Sequence, residues 1–416
     1  MTKEKIMMER HNDRIENFLK KKNYDIRKSH NARWIDQKCA IDVVSFLAEC
    51  ILEFDQEENK SFTRTDIWHS QYAIDCVKFD FKKPDADTMG EKEYDKLFGN
   101  SIAMFHYAGI LKARRSYKKR GKPYIYRVND YEMLRYISSS PRSALTFLSV
   151  YIEKVLTDSG IIDVFDVFFE KQTYAALQKC RKDFGEFLIK YTGIQKPTEP
   201  NKIFIKVINP LAFMRNKCGY VGATISKGPI TLSDIGYLRS NWYDEYLGKP
   251  KNITRSEHKE NLPDEGLSRE LEHRSNRAKN KVRNYNRDYN NSHSELHDEF
   301  YTDGSVEIHH IFPKRDYDLL VDRYENLIAL TIEQHREHAH PHANMKEIVR
   351  SYQLKCILQK IDTIVEDEVK YGGCFYDFEE IKKVLAVGLD DEIFLLAGSP
   401  KDLRTMVEKK YEEIKE

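Results

Sequence analysis

The sequence predicts an α+β protein of several domains, mostly helical, with its few strands gathered into short pairs. Three observations predict this. At 416 residues the chain is longer than one ordinary hydrophobic core organises. Apolar residues recur three and four positions apart through most of it, the spacing of helices packed by one face. Runs of strand character stand out at only a few places, around residues 110–128, 202–208 and 306–330. With 40% hydrophobic and 12% aromatic residues the chain can fill large cores, which excludes a disordered protein. No run approaches the roughly 20 apolar residues of a membrane span, and the charged start Met1-Thr2-Lys3-Glu4-Lys5 has no secretory apolar region. A cytoplasmic location with no membrane partner is expected. The seven cysteines include no CxxC pair, which argues against a disulfide framework and a thiolate zinc site. A formal charge of +1 offers no bulk attraction to a polyanion, so any nucleic-acid surface must come from local segregation of charge.

In chain order, residues 1 to about 38 read as a polar helix with a basic tail of Lys20, Lys21, Lys22, Arg27, Lys28 and Arg33. Val43, Phe46, Leu47, Cys50, Ile51 and Phe54 then predict an amphipathic helix over 42–54. A short helix is expected over 62–68 and a third from 91 to about 107, stopped by Gly109. Two strand-like runs follow, 110–115 and 124–128, joined through Gly121 and Pro123. Three helices followed by a hairpin is the order of a winged helix. Between Lys112 and Lys122 the hairpin carries seven Lys or Arg and no acid. Arg114, Arg115, Lys118, Lys119 and Arg120 are its candidate phosphate contacts, and the helix from Glu91 is the candidate for the major groove.

Residues 142–192 predict two or three apolar helices, with Ile161 to Phe169 deeply buried between them. A strand is expected at 202–208, ended by Asn209-Pro210, then a Gly-punctuated stretch over 215–228. A helix should open at Ser233-Asp234 and stop at Gly248, followed by a basic linker over 249–255. From Arg274 to Arg287 basic residues alternate with Asn and Tyr and almost no apolar core former. This suits a DNA-binding basic helix or arm, with Arg277, Lys281 and Arg283 as phosphate contacts.

The chemistry gathers further on. Of 14 histidines, six (His309, His310, His335, His338, His340 and His342) lie in one short segment, the clustering of a metal or catalytic site. In Val306-Glu307-Ile308-His309-His310-Ile311 the strand-like alternation points adjacent His309 and His310 to opposite sides. One can then bind a metal while the other activates water. After a loop with Asp316 and Asp318, residues 326–330 can return as a partner strand. Thr331 then caps a helix on which His335 and His338 stand one turn apart. Lys314 and Arg315, just past Pro313, are candidate phosphate contacts.

This strand-loop-strand-helix unit resembles the HNH, or ββα-metal, nuclease family. The doubled His309-His310, Asn326 sixteen residues on and His335 nine beyond that match its signature. The resemblance implies that His310 is the general base, that His309 and His335 hold one divalent metal ion, and that Asn326 fixes the base by bonding the loop. Many members carry a further helix histidine four residues after the first; here that position is Ala339. His338 or His340 must substitute, and the Ala-His-Pro that follows favours His340. Mg²⁺ is the foremost ion implied, with Mn²⁺ or Zn²⁺ as alternatives. Trp34-Ile35-Asp36-Gln37-Lys38, the Asn209-Pro210-Leu211 stretch and the 249–255 linker extend the likeness to prokaryotic type II HNH restriction endonucleases. That implies a homodimer cutting double-stranded DNA to 5′-phosphate and 3′-hydroxyl ends.

The expected organisation is a winged-helix-like domain over 1–140 and a helical linker over 141–200. A mixed DNA-contacting region over 201–260, the HNH core over 261–350 and a helical C-terminal region over 351–416 complete it. A DNA-binding regulator with a structural ββα module is the non-enzymatic alternative. A modification-dependent, RNA-directed or homing nuclease is the alternative within the enzyme class.

Overall fold

A computed structural model of the chain describes residues 13–81, 91–115, 124–195, 198–236, 264–339 and 349–413. It is mostly helical, with three small antiparallel sheets of two strands each among the described residues. None of the described helices is long and apolar enough to cross a membrane. The chain divides into two compact units, one over Glu9–Ser240 and one formed chiefly by Asn241–Glu416.

In the first unit α1 (Ile41–Phe54) buries Val43, Val44, Phe46, Leu47, Cys50 and Ile51, so its periodic stripe becomes the centre of the core. At its end Asp55 accepts the Lys60 amide at 2.8 Å and the Tyr131 hydroxyl at 2.6 Å. Next, α2 (Arg64–Trp68) starts from a capping box of Thr63 and Asp66. Sequence periodicity missed α3 (Gln71–Phe79), which is capped by Ser70 and buries only Ala73, Cys76 and Val77. α4 (Glu91–Ala108) ends before Gly109, whose φ of 90° suits glycine. β1 (Leu111–Arg115) and β2 (Tyr124–Val128) then pair with Leu111 opposite Val128 and Arg115 opposite Tyr124. Phe62 adds one rung to the outer side of β2, exchanging both backbone hydrogen bonds with Tyr126 at 3.0 and 2.7 Å. The hairpin is thereby tied to the helices, and its outward positions include exposed Lys112, Arg114 and Arg127. Its tip, with Lys118, Lys119 and Arg120, lies outside the described residues, as does the Arg115 side chain.

Four helices follow: α5 (Tyr131–Ser139), α6 (Pro141–Asp158), α7 (Ile162–Lys171) and α8 (Tyr174–Tyr191). Deep burial of residues 161–169 does not occur. They form the amphipathic α7, which buries Phe165, Phe168 and Phe169 and exposes Val167.

The strand expected at 202–208 is instead part of a helix, α9 (Thr198–Met214). Its β-branched residues suggest a strand, but the buried positions 203, 204, 207, 208, 211 and 212 repeat at helical spacing, and packing on α6 and α8 overrides propensity. Pro210 sits inside the helix, and the Ser149 hydroxyl satisfies its carbonyl at 3.1 Å. The buried amide of Asn209 pairs with Tyr220, accepting its N–H at 2.8 Å and donating to its carbonyl at 3.0 Å. That bond docks a hairpin of β3 (Cys218–Val221) and β4 (Thr224–Pro229), turned through Gly222 and Ala223, both at positive φ. The next helical turn, Leu232–Ile235, is capped two residues earlier than expected, by Thr231 with Asp234. The rest of that expected helix and the 249–255 linker lie outside the described residues.

The second unit opens with α10 (Asp264–Asn290), the helix among the two forms expected there, and it is packed: Ser275, Ala278, Val282 and Tyr285 form its buried stripe. β5 (Val306–His310) and β6 (Leu327–Thr331) pair antiparallel beneath it. The other edge of β6 is covered by Glu295, which bonds Ala329 through its own N–H and, via its carboxylate, the Ala329 N–H. Lys360 of α11 (Arg350–Tyr371), fully buried, completes this clasp at 2.6 Å from Glu295 and 3.0 Å from the Tyr376 hydroxyl. α12 (Phe378–Gly388) and α13 (Pro400–Glu413) close the unit.

Two outcomes are expected from this packing. A Cβ on Gly219 would lie 2.6 Å from both Asn209 Oδ1 and Ile230 Cγ1. Gly219→Ala should therefore cost about 1–3 kcal/mol in denaturant unfolding of the first unit. In the second unit, burial and then Glu380 push the Glu325 carboxyl from its ordinary 4.5 up to about 8. The folded state therefore holds this proton more tightly than the unfolded chain. Its contribution to stability is complete below about pH 4.5 and is lost as pH rises through about 8. Thermal melts from pH 5 to 9 should show a falling midpoint, and Glu325→Gln should flatten that fall by at least a few degrees.

Candidate active site

The site is built on the β5–β6 hairpin. His309 stands opposite Ile328 and His310 opposite Leu327, so the pleat sends the two imidazoles to opposite faces. Both are 7% exposed. A strand burying both faces explains why two polar side chains can be adjacent and both enclosed.

On one face His309 meets His335, their ring centroids 5.0 Å apart. His335 lies in a π-helical turn, Gln334–Ala339, that starts from a reciprocal cap. Thr331 Oγ1 accepts the Gln334 N–H at 3.2 Å, and Gln334 Oε1 accepts the Thr331 N–H at 3.0 Å. The same Gln334 side chain donates to the Leu296 carbonyl at 2.9 Å and to Asp298 at 2.7 Å. The wider π turn separates residues that an α-helix would stack, so His335 and His338 do not share a face as expected. The His338 ring instead lies flat on Phe300, centroids 3.5 Å apart, and beside Tyr352. His340, the favoured third ligand, lies outside the described residues. Ala339, four residues after His335, lines a small cavity together with His309.

Glu307, two residues before His309 on β5, adds a carboxylate that the histidine spacing does not include. One of its oxygens accepts His335 Nδ1–H at 2.5 Å and the other accepts Arg336 at 2.6 Å. Burial pushes its carboxyl up, but these two hydrogen bonds outweigh that and hold it below the ordinary value. A carboxylate on Nδ1–H fixes the tautomer and leaves His335 Nε2 with its lone pair, the arrangement typical of a metal-ligating histidine. Burial holds the His335 imidazole below its usual value, with Glu307 opposing. The signal available in sequence was alternation: Glu307 and His309, two apart on a strand, point the same way. Two imidazoles facing each other fit a divalent ion. Such donors suit Mn²⁺ or Zn²⁺, whereas Mg²⁺ would complete its shell largely from water and phosphate oxygens.

On the opposite face His310 Nε2 lies 3.0 Å from the Val321 carbonyl. A carbonyl only accepts, so Nε2 carries the proton and Nδ1 is the basic nitrogen. Burial first, then the nearby Lys279, lowers this imidazole to about 4, so it is neutral near pH 7. Asn326, fully buried, governs the loop. Its Oδ1 accepts the Phe312 N–H at 2.8 Å, while its Nδ2 donates to the carbonyls of Phe312 at 3.0 Å and Leu320 at 3.1 Å. Leu320 adjoins Val321, so the asparagine positions the carbonyl that holds His310.

Of the candidate phosphate contacts, Lys314 and Arg315 are exposed next to this loop, and Arg315 pairs with Asp316 at 2.9 Å. Arg283 is exposed and bonded to Asn280. Arg277 is half-buried. Lys281 is 7% exposed, on the packed side of α10, which removes it from the phosphate-contacting surface expected of it.

No protein family, curated protein or solved structure matches the chain.

Removing the carboxylate that orients His335 should weaken ion binding without unfolding the unit. Glu307→Ala is expected to lower Mn²⁺ or Zn²⁺ affinity 10- to 100-fold by calorimetric titration, with the melting midpoint little changed.

Proposed function

We propose that the chain is a metal-dependent endonuclease of the HNH type that cuts double-stranded DNA, with a restriction role. The observation that carries this reading is the opposed pair of histidine faces: an oriented His309–His335 pair on one side, and a neutral, loop-held His310 on the other. Phosphodiester hydrolysis needs that division, one group to accept a proton from water and another to manage charge on the phosphate. His310 Nδ1 takes the proton of the attacking water as its oxygen bonds to phosphorus. The P–O bond to the sugar 3′ oxygen breaks opposite, leaving a 5′-phosphate and a 3′-hydroxyl. A divalent ion held by His309 and His335 would supply Lewis-acid stabilisation of the phosphate and the leaving oxygen. Asn326 acts through the loop, as a positioning residue.

The first unit would supply DNA recognition. Its order of helices, the single Phe62 rung and the β1–β2 hairpin suits a winged-helix-like domain. Lys112, Arg114 and Arg127 are placed on the outward face of the wing. Duplex recognition by a homodimer, as the resemblance implies, would set two such sites on the two strands.

The test is incubation of the full chain with large duplex DNA and Mg²⁺, Mn²⁺ or Zn²⁺, beside the His310→Ala variant. Discrete, metal-dependent fragments from the unaltered protein are expected, with cleavage by His310→Ala reduced at least about 10³-fold and DNA affinity retained. Equal DNA binding by both and cutting by neither, on unmodified and on modified DNA, would overturn the nuclease reading in favour of a binding protein.

A further inference from the structure

We infer that Arg274 is a positioning residue for the proton-accepting His310: through Asp322 it sets the peptide plane whose carbonyl holds the imidazole. The inference rests on the nuclease reading. It gives Arg274, the first residue of the basic run over 274–287, a duty other than phosphate contact.

The argument starts from the Val321 carbonyl, 3.0 Å from His310 Nε2. That oxygen belongs to the planar peptide group running from the Cα of Val321 to the Cα of Asp322, so its direction is set when both ends are held. Asn326 holds the near end, its Nδ2 donating to the Leu320 carbonyl of the preceding peptide group at 3.1 Å. Arg274 holds the far end. Its Nε donates to Asp322 Oδ2 at 2.9 Å, and its Nη2 lies 2.9 Å from the same oxygen. Arg323 stands farther off, with Nε 3.8 Å from Asp322 Oδ1 and Nη1 3.9 Å from Glu380. Three successive residues of the loop, Leu320, Val321 and Asp322, thus meet an asparagine, the imidazole and an arginine in turn.

The anchor does not travel with the loop. Arg274 projects from α10, which packs on β5 and β6, and its neighbour Ser275 is buried in that packing. The strand that carries His310 and the peptide that orients it are therefore referred to one helix. The guanidinium is also committed: Asp322 accepts from it, and Glu270, one turn back on α10, lies 3.9 Å away. A cation between two carboxylates is poorly placed to neutralise a phosphate, whereas a forked, charge-assisted contact suits a fixed orientation. A partly exposed ion pair adds little to global stability, so its removal should appear in the rate and hardly in the melting midpoint.

The experiment compares single-turnover cleavage of an end-labelled duplex by the full chain with metal, for Arg274→Met and Arg274→Lys, each with His310 present and in the His310→Ala background. With His310 present, Arg274→Met should slow cleavage about 10- to 100-fold, the loss typical of removing a group that orients a reacting side chain. Arg274→Lys, which keeps a donor toward Asp322, should recover part of the rate. With no imidazole left to orient, Arg274→Met should change the residual rate by no more than about 2-fold. Binding of the duplex across a KCl series should keep its slope, whereas loss of a phosphate contact lowers that slope by about 0.9. Nitrogen-15 spectra of the histidines, assigned with His310→Ala, should show His310 protonated at Nε2 in the unaltered protein and exchanging between tautomers in Arg274→Met. Equal losses in both backgrounds, a lowered salt slope, or an unchanged His310 signal would each overturn the inference. So would full activity in Arg274→Met while His310→Ala still loses cleavage, and the nuclease reading would then stand. If Arg274→Met does not fold, Asp322→Asn, which keeps the shape and removes the charge, carries the same expectations. Failure of the unaltered protein to cut any duplex with any of the three ions would sink the nuclease reading and the inference with it.

Discussion

The second unit depends on the three side-chain hydrogen bonds of Asn326. This amide fixes where β5 ends, by closing both polar groups of Phe312, and where the following loop lies, by holding the Leu320 carbonyl. Its backbone carbonyl accepts the Ile311 N–H at 2.8 Å as well. Only a primary amide can accept one backbone donor and donate to two carbonyls in a buried place. A carboxylate would face two carbonyl oxygens, and an apolar side chain would take the partner from both buried polar groups of Phe312, each costing about 1–3 kcal/mol. His310 inherits its orientation from this arrangement through Val321.

The C-terminal helices brace the same strand end from outside. Gln353 of α11 donates to the Ile311 carbonyl at 2.8 Å, and Tyr411 of α13 holds Gln353 at 2.7 Å. Gly388 of α12 lets the Phe312 ring approach so closely that a Cβ would sit 2.5 Å from it. These helices form the wall against which β5 is set. The buried Lys360–Glu295 pair on the other edge does the same for β6. Removing one partner would leave an uncompensated charge in the core.

Much of this was legible in the sequence. The helix at 42–54 and the hairpin after Gly109 lie within a residue or two of where periodicity and glycine placed them, because each buries a regular stripe. The histidine spacing foretold the two faces of β5, since the strand period is two. Reading failed where tertiary contacts overrode local preference: a β-branched run at 202–208 became helix, and the basic stretch at 274–287 buries one side, Lys281 included, through small residues such as Ser275 and Ala278. The π turn moved His338 onto Phe300, a shift of helical phase with no mark in composition.

By itself the sequence determined the elements and the order in which histidine, asparagine and histidine follow one another, because strand and helix periods are properties of the local chain. It determined the reserve of basic residues too, but not their duties. Only the tertiary structure decided that Glu307 orients His335, that Lys281 is buried, and that Asn326 governs His310 through a loop carbonyl. Those assignments depend on which charges and polar atoms are brought together across long stretches of chain, 28 positions from Glu307 to His335. Desolvation and hydrogen-bond geometry act through space, and no local pattern encodes them.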